Sequence, residues 1–304
     1  VNRPQNANEK GNIMSTALNR LITLLKLEKL DDGLFRGNCE DLGFRQVFGG
    51  QVVAQALSAA MQVASPNRLL HSCHAYFLAP GDSSYPIIYD VETLREGHNF
   101  TALRVKAIQH NRPICHVTAS FQVEEYGFEH QSKMPQVESP EEWISESSAL
   151  KQAALFIPEN VRDKFLAERP FEIRSKYINN PFRGQKLPPE QFVWVRTNGE
   201  APLDANIQKC LLAYFSDFHC ILTALHPHEK GFLQKGMKVA TIDHSIWFHR
   251  SFDLNDWLLY AIESNNAYAA RGLSRGQIFD KYGRLIATTQ QEGLIRFTEE
   301  AKTL

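Results

Sequence analysis

A single carboxylate stands in a strongly apolar stretch of this 304-residue chain. Residues 211–225 read Leu-Leu-Ala-Tyr-Phe-Ser-Asp-Phe-His-Cys-Ile-Leu-Thr-Ala-Leu, and Asp217 is the one acid between Asp204 and Glu229. A carboxylate in an apolar setting is costly unless it is paired, hydrogen-bonded or protonated. Asp217 is therefore either a core acid satisfied by backbone or a nearby Arg, or a working proton acceptor; the stretch alone leaves both open. A second candidate is Gly49-Gly50-Gln51, where paired glycines precede an apolar helix at 52–64. They permit close backbone approach and leave helix N-terminal N–H groups open to an oxygen-rich ligand. The plainer alternative is a tight turn packed on a neighbour.

Other residue types of catalytic interest fare worse. Asp243, His244 and Ser245 are consecutive in a strand-like run, and adjacent strand residues point to opposite faces, so they form no triad among themselves. His71, His74 and His219 lack partner spacing and read as packed or hydrogen-bonded histidines. There is no G-x-S-x-G elbow and no H-E-x-x-H pair. The five cysteines, at 39, 73, 115, 210 and 220, contain no CxxC. That pattern predicts free thiols in a reducing compartment, with Cys210 and Cys220 as small core hydrophobes, rather than a disulfide framework or metal site.

The elements that must hold these residues follow from periodicity. Apolar positions 211, 214, 215, 218, 222 and 225 have helical spacing, and 212, 213, 221 and 224 fill the other faces, so residues 211–225 predict one helix buried on most sides. An amphipathic helix begins after Ser15 or Thr16 on Leu18, Leu21, Ile22 and Leu25. After the helix at 52–64, strands are predicted at 71–78, 85–94, 101–110 and 114–123, separated by Pro-Gly-Asp, Gly-His-Asn and Asn-Arg-Pro turn signals. One helix followed by four strands in meander order predicts an antiparallel sheet folded on that helix, an α+β unit. Residues 124–190, rich in Pro, Glu, Ser and Gln, predict a long connector with a short helix near 140–154.

The same order then recurs, with strands at 192–197, 239–250, 257–265, 270–280 and 285–297. Sliding the chain by 171 positions aligns Phe77 with Phe248, Asp82 with Asp253, Tyr89 with Tyr260, Glu92 with Glu263, Arg104 with Arg275 and Thr118 with Thr289. Shared element order makes this an internal duplication, expected as two helix-wrapped sheets joined into one. The division is then 14–123, a connector 124–190, and 191–304, with the polar residues 1–13 ahead of Met14 read as an added or leader segment.

Composition narrows the function. Lys plus Arg is 33 and Asp plus Glu is 34, a formal charge of −1, which offers no basic surface for nucleic acid or anionic lipid. No apolar run approaches the roughly 20 residues of a membrane span. With no secretory apolar region and no Ser-Lys-Leu end, cytoplasm is the default expectation.

Several long motifs carry a resemblance. Leu34-Phe-Arg-Gly, Asp41-Leu-Gly, Arg45-Gln-Val-Phe-Gly-Gly-Gln-Val-Val-Ala-Gln-Ala-Leu57, Pro80-Gly-Asp, Ala240-Thr-Ile-Asp-His-Ser-Ile-Trp-Phe-His249, Trp257-Leu-Leu-Tyr and Gln291-Glu-Gly293 are similar to the type II acyl-CoA thioesterases, a family with bacterial and peroxisomal members. The match is colinear over nearly the whole chain. The resemblance implies a double hotdog fold, two tandem helix-wrapped antiparallel sheets, and hydrolysis of medium- to long-chain acyl-CoA to fatty acid and CoA without cofactor or metal. It also implies that Asp217, Thr241 and Gln291 hold one water. Of these three only the Asp can accept a proton near neutral pH, so Asp217 would be the general base.

The Gly49-Gly50-Gln51 segment is the candidate for oxyanion or substrate binding. Ser120 aligns with Gln291 at the 171 offset, so one site per chain is expected, and paired hotdog sheets suggest a homo-oligomer, dimer or tetramer. Two other classes compete. A non-catalytic acyl-CoA binder would keep the slot and lose the base, which the joint presence of the three residues disfavours. A hotdog hydratase would want Asp and His together; on one helix Asp217 and His219 would lie roughly 200° apart. Only a thioesterase releases CoA thiol from acyl-CoA.

Overall fold

The computed structural model describes residues 14–43 and 45–299, so the segment 1–13 lies outside the described residues. Helix α1 (Thr16–Leu24) is capped by Ser15, whose side chain accepts from Leu18 N–H. Two short strands absent from the sequence reading follow, β1 (Glu28–Asp31) and β2 (Leu34–Gly37). Helix α2 (Gly49–Val63) is longer than predicted at its start, taking both glycines into its first turn. It leads to β3 (Leu69–Phe77), β4 (Ile87–Glu96), β5 (Phe100–Gln109) and β6 (Arg112–Gln122). The connector holds α3 (Glu146–Gln152), α4 (Glu159–Leu166) and, contrary to a purely linking role, an edge strand β7 (Phe171–Ser175). The second half comprises β8 (Glu190–Thr197), α5 (Ala205–Ser216), α6 (Cys220–Thr223), β9 (Met237–Phe248), β10 (Leu258–Tyr268), β11 (Arg271–Asp280) and β12 (Leu285–Phe297).

All twelve strands form one antiparallel sheet in the order β1-β2-β4-β5-β6-β3-β9-β12-β11-β10-β8-β7. The strands are therefore not a plain meander: β3 leaves β4 and pairs with β6, because the last strand of each half returns to its first. The halves join through β3 and β9, where His74 faces Ser245. These two positions are 171 apart, so the pair lies on the pseudo-two-fold relating the halves. On either side, Cys73↔Ile246 and Ala75↔His244 exchange under the same offset.

The duplication needs one correction. The pairs Ser72↔Ser120, Cys73↔Ala119 and Leu70↔Phe121 recur as Asp243↔Glu292, His244↔Gln291 and Thr241↔Gly293. Strand β3 maps onto β9 by 171, yet β6 maps onto β12 by 172, owing to an additional residue in the turn before β12. Ala119, not Ser120, occupies the place of Gln291, and Leu70 that of Thr241. Helix α2 contains no acid.

Helix α2 packs on the first-half strands and against α5. Its residues 50–57 are all buried, which removes the amphipathic stripe of an ordinary surface helix. The two polar side chains in that run are satisfied. Gln51 Nε2 donates to Asn38 O at 3.2 Å and its Oε1 accepts from Glu40 N–H; Gln55 Nε2 donates to Leu24 O and Asn38 O, and its Oε1 accepts from Tyr89 Oη. Where α2 meets α5 Gly50 lies against the α5 backbone: a Cβ there would lie 2.4 Å from Tyr214 O and 2.5 Å from the Phe48 ring. A backbone carbonyl cannot move aside as a side chain can. Gly50→Ala is expected to cost about 1–3 kcal/mol of stability, seen as a lower urea midpoint at unchanged slope.

Candidate active site

Asp204 caps α5, accepting from the N–H groups of Asn206 and Ile207 at 2.9 Å each. The helix does not run on to residue 225 as its apolar spacing implied. It ends at Ser216, whose hydroxyl turns back to donate to Ala213 O at 2.9 Å, a local bond that competes with further helix. Asp217 is the C-cap, and the chain turns through residues 218 and 219 before α6 begins. The acid thus sits at a helix end rather than mid-helix, 5% exposed. That position brings its carboxylate to β9 and β12.

Thr241 on β9 donates to Asp217 Oδ1 at 3.3 Å, and the Gln291 amide on β12 donates to the same oxygen. Gln291 Nε2 also lies 3.5 Å from Thr241 Oγ1 and 3.3 Å from His244 Nδ1. Thr241 and His244 are three apart and would face opposite sides of a regular strand. The register shift between Glu292 and Gly293 leaves one residue of β9 unpaired there, and this bulge turns both side chains inward. Gln291 is fully buried, and its Oε1 has no donor among the described residues.

The N-terminus of α2 closes the other side. A Cβ at Gly49 would lie 2.7 Å from Asp217 Oδ2 and 3.0 Å from the Phe77 ring, so only glycine fits beside the carboxylate. Val52 N–H bonds to Phe48 O at 3.3 Å and Gln51 N–H to the same oxygen at 3.1 Å; the Gly49 and Gly50 N–H groups meet no acceptor among the described residues. A helix N-terminus with unbonded N–H groups stabilises negative charge in front of it. Phe48 stacks on Phe218 with centroids 4.3 Å apart and meets Tyr214 edge-on at 5.0 Å, lining the apolar side. The result is a buried carboxylate, two orienting side chains and two free backbone donors, the parts needed to activate a water against a carbonyl carbon.

Comparison with known proteins decides the family. Residues 160–294 match the model of the acyl-CoA thioesterase family and residues 39–122 that of the acyl-CoA thioesterase N-terminal domain. The chain is 74% identical over 286 residues to acyl-CoA thioesterase 2 of Haemophilus influenzae, covering 94% of this chain and 100% of that one. It belongs to the type II acyl-CoA thioesterases. It is a thioester hydrolase, and its fold is the double hotdog. Acyl-coenzyme A thioesterase 8 of Homo sapiens is 37% identical, with 90% of this chain and 88% of the human protein covered. The crystal structure of an acyl-CoA thioesterase II from Mycobacterium marinum superposes with a TM-score of 0.75 at 31% identity, covering 92% and 99% of the two chains.

In this thioesterase the residues singled out by sequence divide in two. Asp217, Thr241, Gln291 and Gly49 converge, and Gly50 follows Gly49 in the first turn of α2, against the Tyr214 carbonyl. Gln51 does not: its N–H is bonded to Phe48 O and its side chain is held by Asn38 and Glu40 on the far side of α2. Ser245 faces outward to His74, with Oγ 3.0 Å from Nδ1, and His71 Nε2 lies 2.8 Å from Ser120 Oγ. His219 stands apart from Asp217 because the chain turns between them, not because a helix rotates them apart; its Nε2 lies 3.6 Å from Glu146 Oε1.

Two residues of the site were not anticipated, Ser216 and His244, whose Oγ and Nε2 are 2.8 Å apart and wholly buried. The signal for Ser216 was its place beside Asp217; the bulge that turns His244 inward leaves no mark in the sequence.

Burial lowers the His244 pKa from its ordinary 6.5, against the pull of the Asp217 and Asp243 charges. His71, His226 and His249 are lowered by burial too. An unfolded chain therefore takes up protons near pH 6.5 that the folded one resists, so stability is full above that pH and falls below it. The expected outcome is a Tm that drops between pH about 7.5 and about 5.5, with a smaller drop in His244→Asn. A flat Tm over that range would contradict it.

Proposed function

We propose that Asp217, Thr241 and Gln291 hold and activate the water that hydrolyses a medium- to long-chain acyl-CoA. The observation that carries this is one buried carboxylate oxygen accepting from side chains of two different strands, with no Lys or Arg paired to it among the described residues. A merely structural acid would gain most from a cation; this one is held by neutral donors on two strands, Thr241 and Gln291. Thr241 and Gln291 orient, and Asp217 takes the proton.

In the proposed step, the water oxygen bonds to the thioester carbonyl carbon as its proton passes to Asp217. The carbonyl oxygen becomes an oxyanion facing the Gly49 and Gly50 N–H groups. Collapse of the tetrahedral species breaks the C–S bond, and CoA departs as a thiolate, a better leaving group than an alkoxide or an amine nitrogen. Asp217 then returns its proton to solvent or to the thiolate. The rings of Phe48, Phe77, Tyr214 and Phe218 give an apolar wall suited to an acyl chain. A homo-oligomer in the cytoplasm completes the reading; among the described residues no helix is long and apolar enough to cross a membrane.

Asp217→Asn should lower kcat for thiol release from acyl-CoA by about 10²–10⁴-fold, and Thr241→Ala or Gln291→Leu by about 10–100-fold, with correct folding checked by circular dichroism. An Asp217→Asn enzyme of nearly full rate would refute the assignment. Acyl-CoA substrates of graded length in the same assay give the chain preference, and light scattering gives the oligomeric state.

A further inference from the structure

Ser216 Oγ lies 2.9 Å from Ala213 O and 2.8 Å from His244 Nε2. A carbonyl oxygen only accepts, and the hydroxyl has one hydrogen, so that hydrogen goes to Ala213. Ser216 must then accept from His244, which places the imidazole proton on Nε2. The ring is fully buried, a setting that favours its neutral form, so Nδ1 keeps a bare lone pair. The group 3.3 Å from that lone pair is the Gln291 amide nitrogen, a donor. Donation thus runs in one direction. His244 gives to Ser216, Gln291 gives one N–H to His244 and the other to Asp217.

We propose that Ser216 and His244 are positioning residues that fix the amide sense of Gln291, so that its nitrogen always faces Asp217 and its oxygen is the acceptor left for the attacking water. This rests on the reading of Gln291 as a water ligand. With the opposite tautomer, Nδ1–H would oppose Gln291 N–H, and two donors in contact would drive the amide out of register. Ser216 is not itself a nucleophile here: it is sealed from substrate, and His244 is its donor rather than its base. In the first half the counterparts of His244 and Gln291 are Cys73 and Ala119, which hold no such bonds, in keeping with a single working site.

The test uses the full-length enzyme. Nitrogen-15 spectra of histidine-labelled protein, with His244 assigned by its loss in His244→Asn, should show a neutral ring protonated on Nε2, and Ser216→Ala should disturb that signal. His244→Leu, which removes the acceptor, should lower kcat about tenfold or more with KM within about twofold. His244→Asn, whose side-chain oxygen overlies Nδ1, should recover kcat to within about threefold of wild type. If His244→Leu does not fold, Ser216→Ala carries the kinetic test with the same kcat-selective loss.

An Nδ1–H or charged ring at neutral pH overturns the proposal. So does a His244→Leu enzyme of full kcat beside an impaired Gln291→Leu, or a His244→Asn as impaired as His244→Leu. If Asp217→Asn and Gln291→Leu keep the wild-type rate, the water-ligand reading fails instead, while the spectra still decide the direction of the hydrogen bonds.

Discussion

A buried carboxylate has to be solvated by the protein, and the arrangement around Asp217 follows from that need. The solvating groups come from elements distant in sequence: a hydroxyl from β9, an amide from β12 and the positive end of α2. The acid lies at the C-terminus of its own helix, where the backbone carbonyls disfavour negative charge, so the opposed N-terminus of α2 is the compensating field. Bringing that N-terminus close enough demands glycine at 49, against the carboxylate, and at 50, against the α5 backbone. The tight crossing of the two helices is thus an electrostatic requirement met by packing.

Much of the fold was legible because it rests on signals that sequence carries openly. Alternating burial and turn residues mark β3 to β6 and β9 to β12, and two colinear sets of them mark the duplication. What escaped had weak or misleading local signals. Strand β1 is four exposed residues, Glu-Lys-Leu-Asp, with no alternation to read. Strand β7 sits in a proline-rich segment and becomes a strand only by pairing with β8. The end of α5 was hidden because apolar spacing continues through α6, while the helix stops at Ser216, whose hydroxyl bonds back to Ala213 O.

The site divides in the same way. Asp217 declared itself as an acid out of place, and Thr241 and Gln291 were reached through family motifs, since nothing in their own spacing singles them out. His244 was hidden by the bulge in β9. A strand read by strict alternation sends Thr241 and His244 to opposite faces, and one unpaired residue puts them on the same one. The offset of 172 between β6 and β12 is the companion lesson, for one added turn residue changes which first-half position corresponds to Gln291 and leaves Ala119 there.

The Gly49 contact also bears on the divisibility of the molecule. The acid belongs to the second repeat and the helix N-terminus facing it to the first, so each repeat alone carries only part of the candidate centre. With no acid in α2, separation into independent polypeptides would leave the carboxylate in one piece and the helix end facing it in the other. Inheritance as one gene keeps the two parts in fixed one-to-one supply, which a pair of freely dissociating subunits would have to secure through concentration.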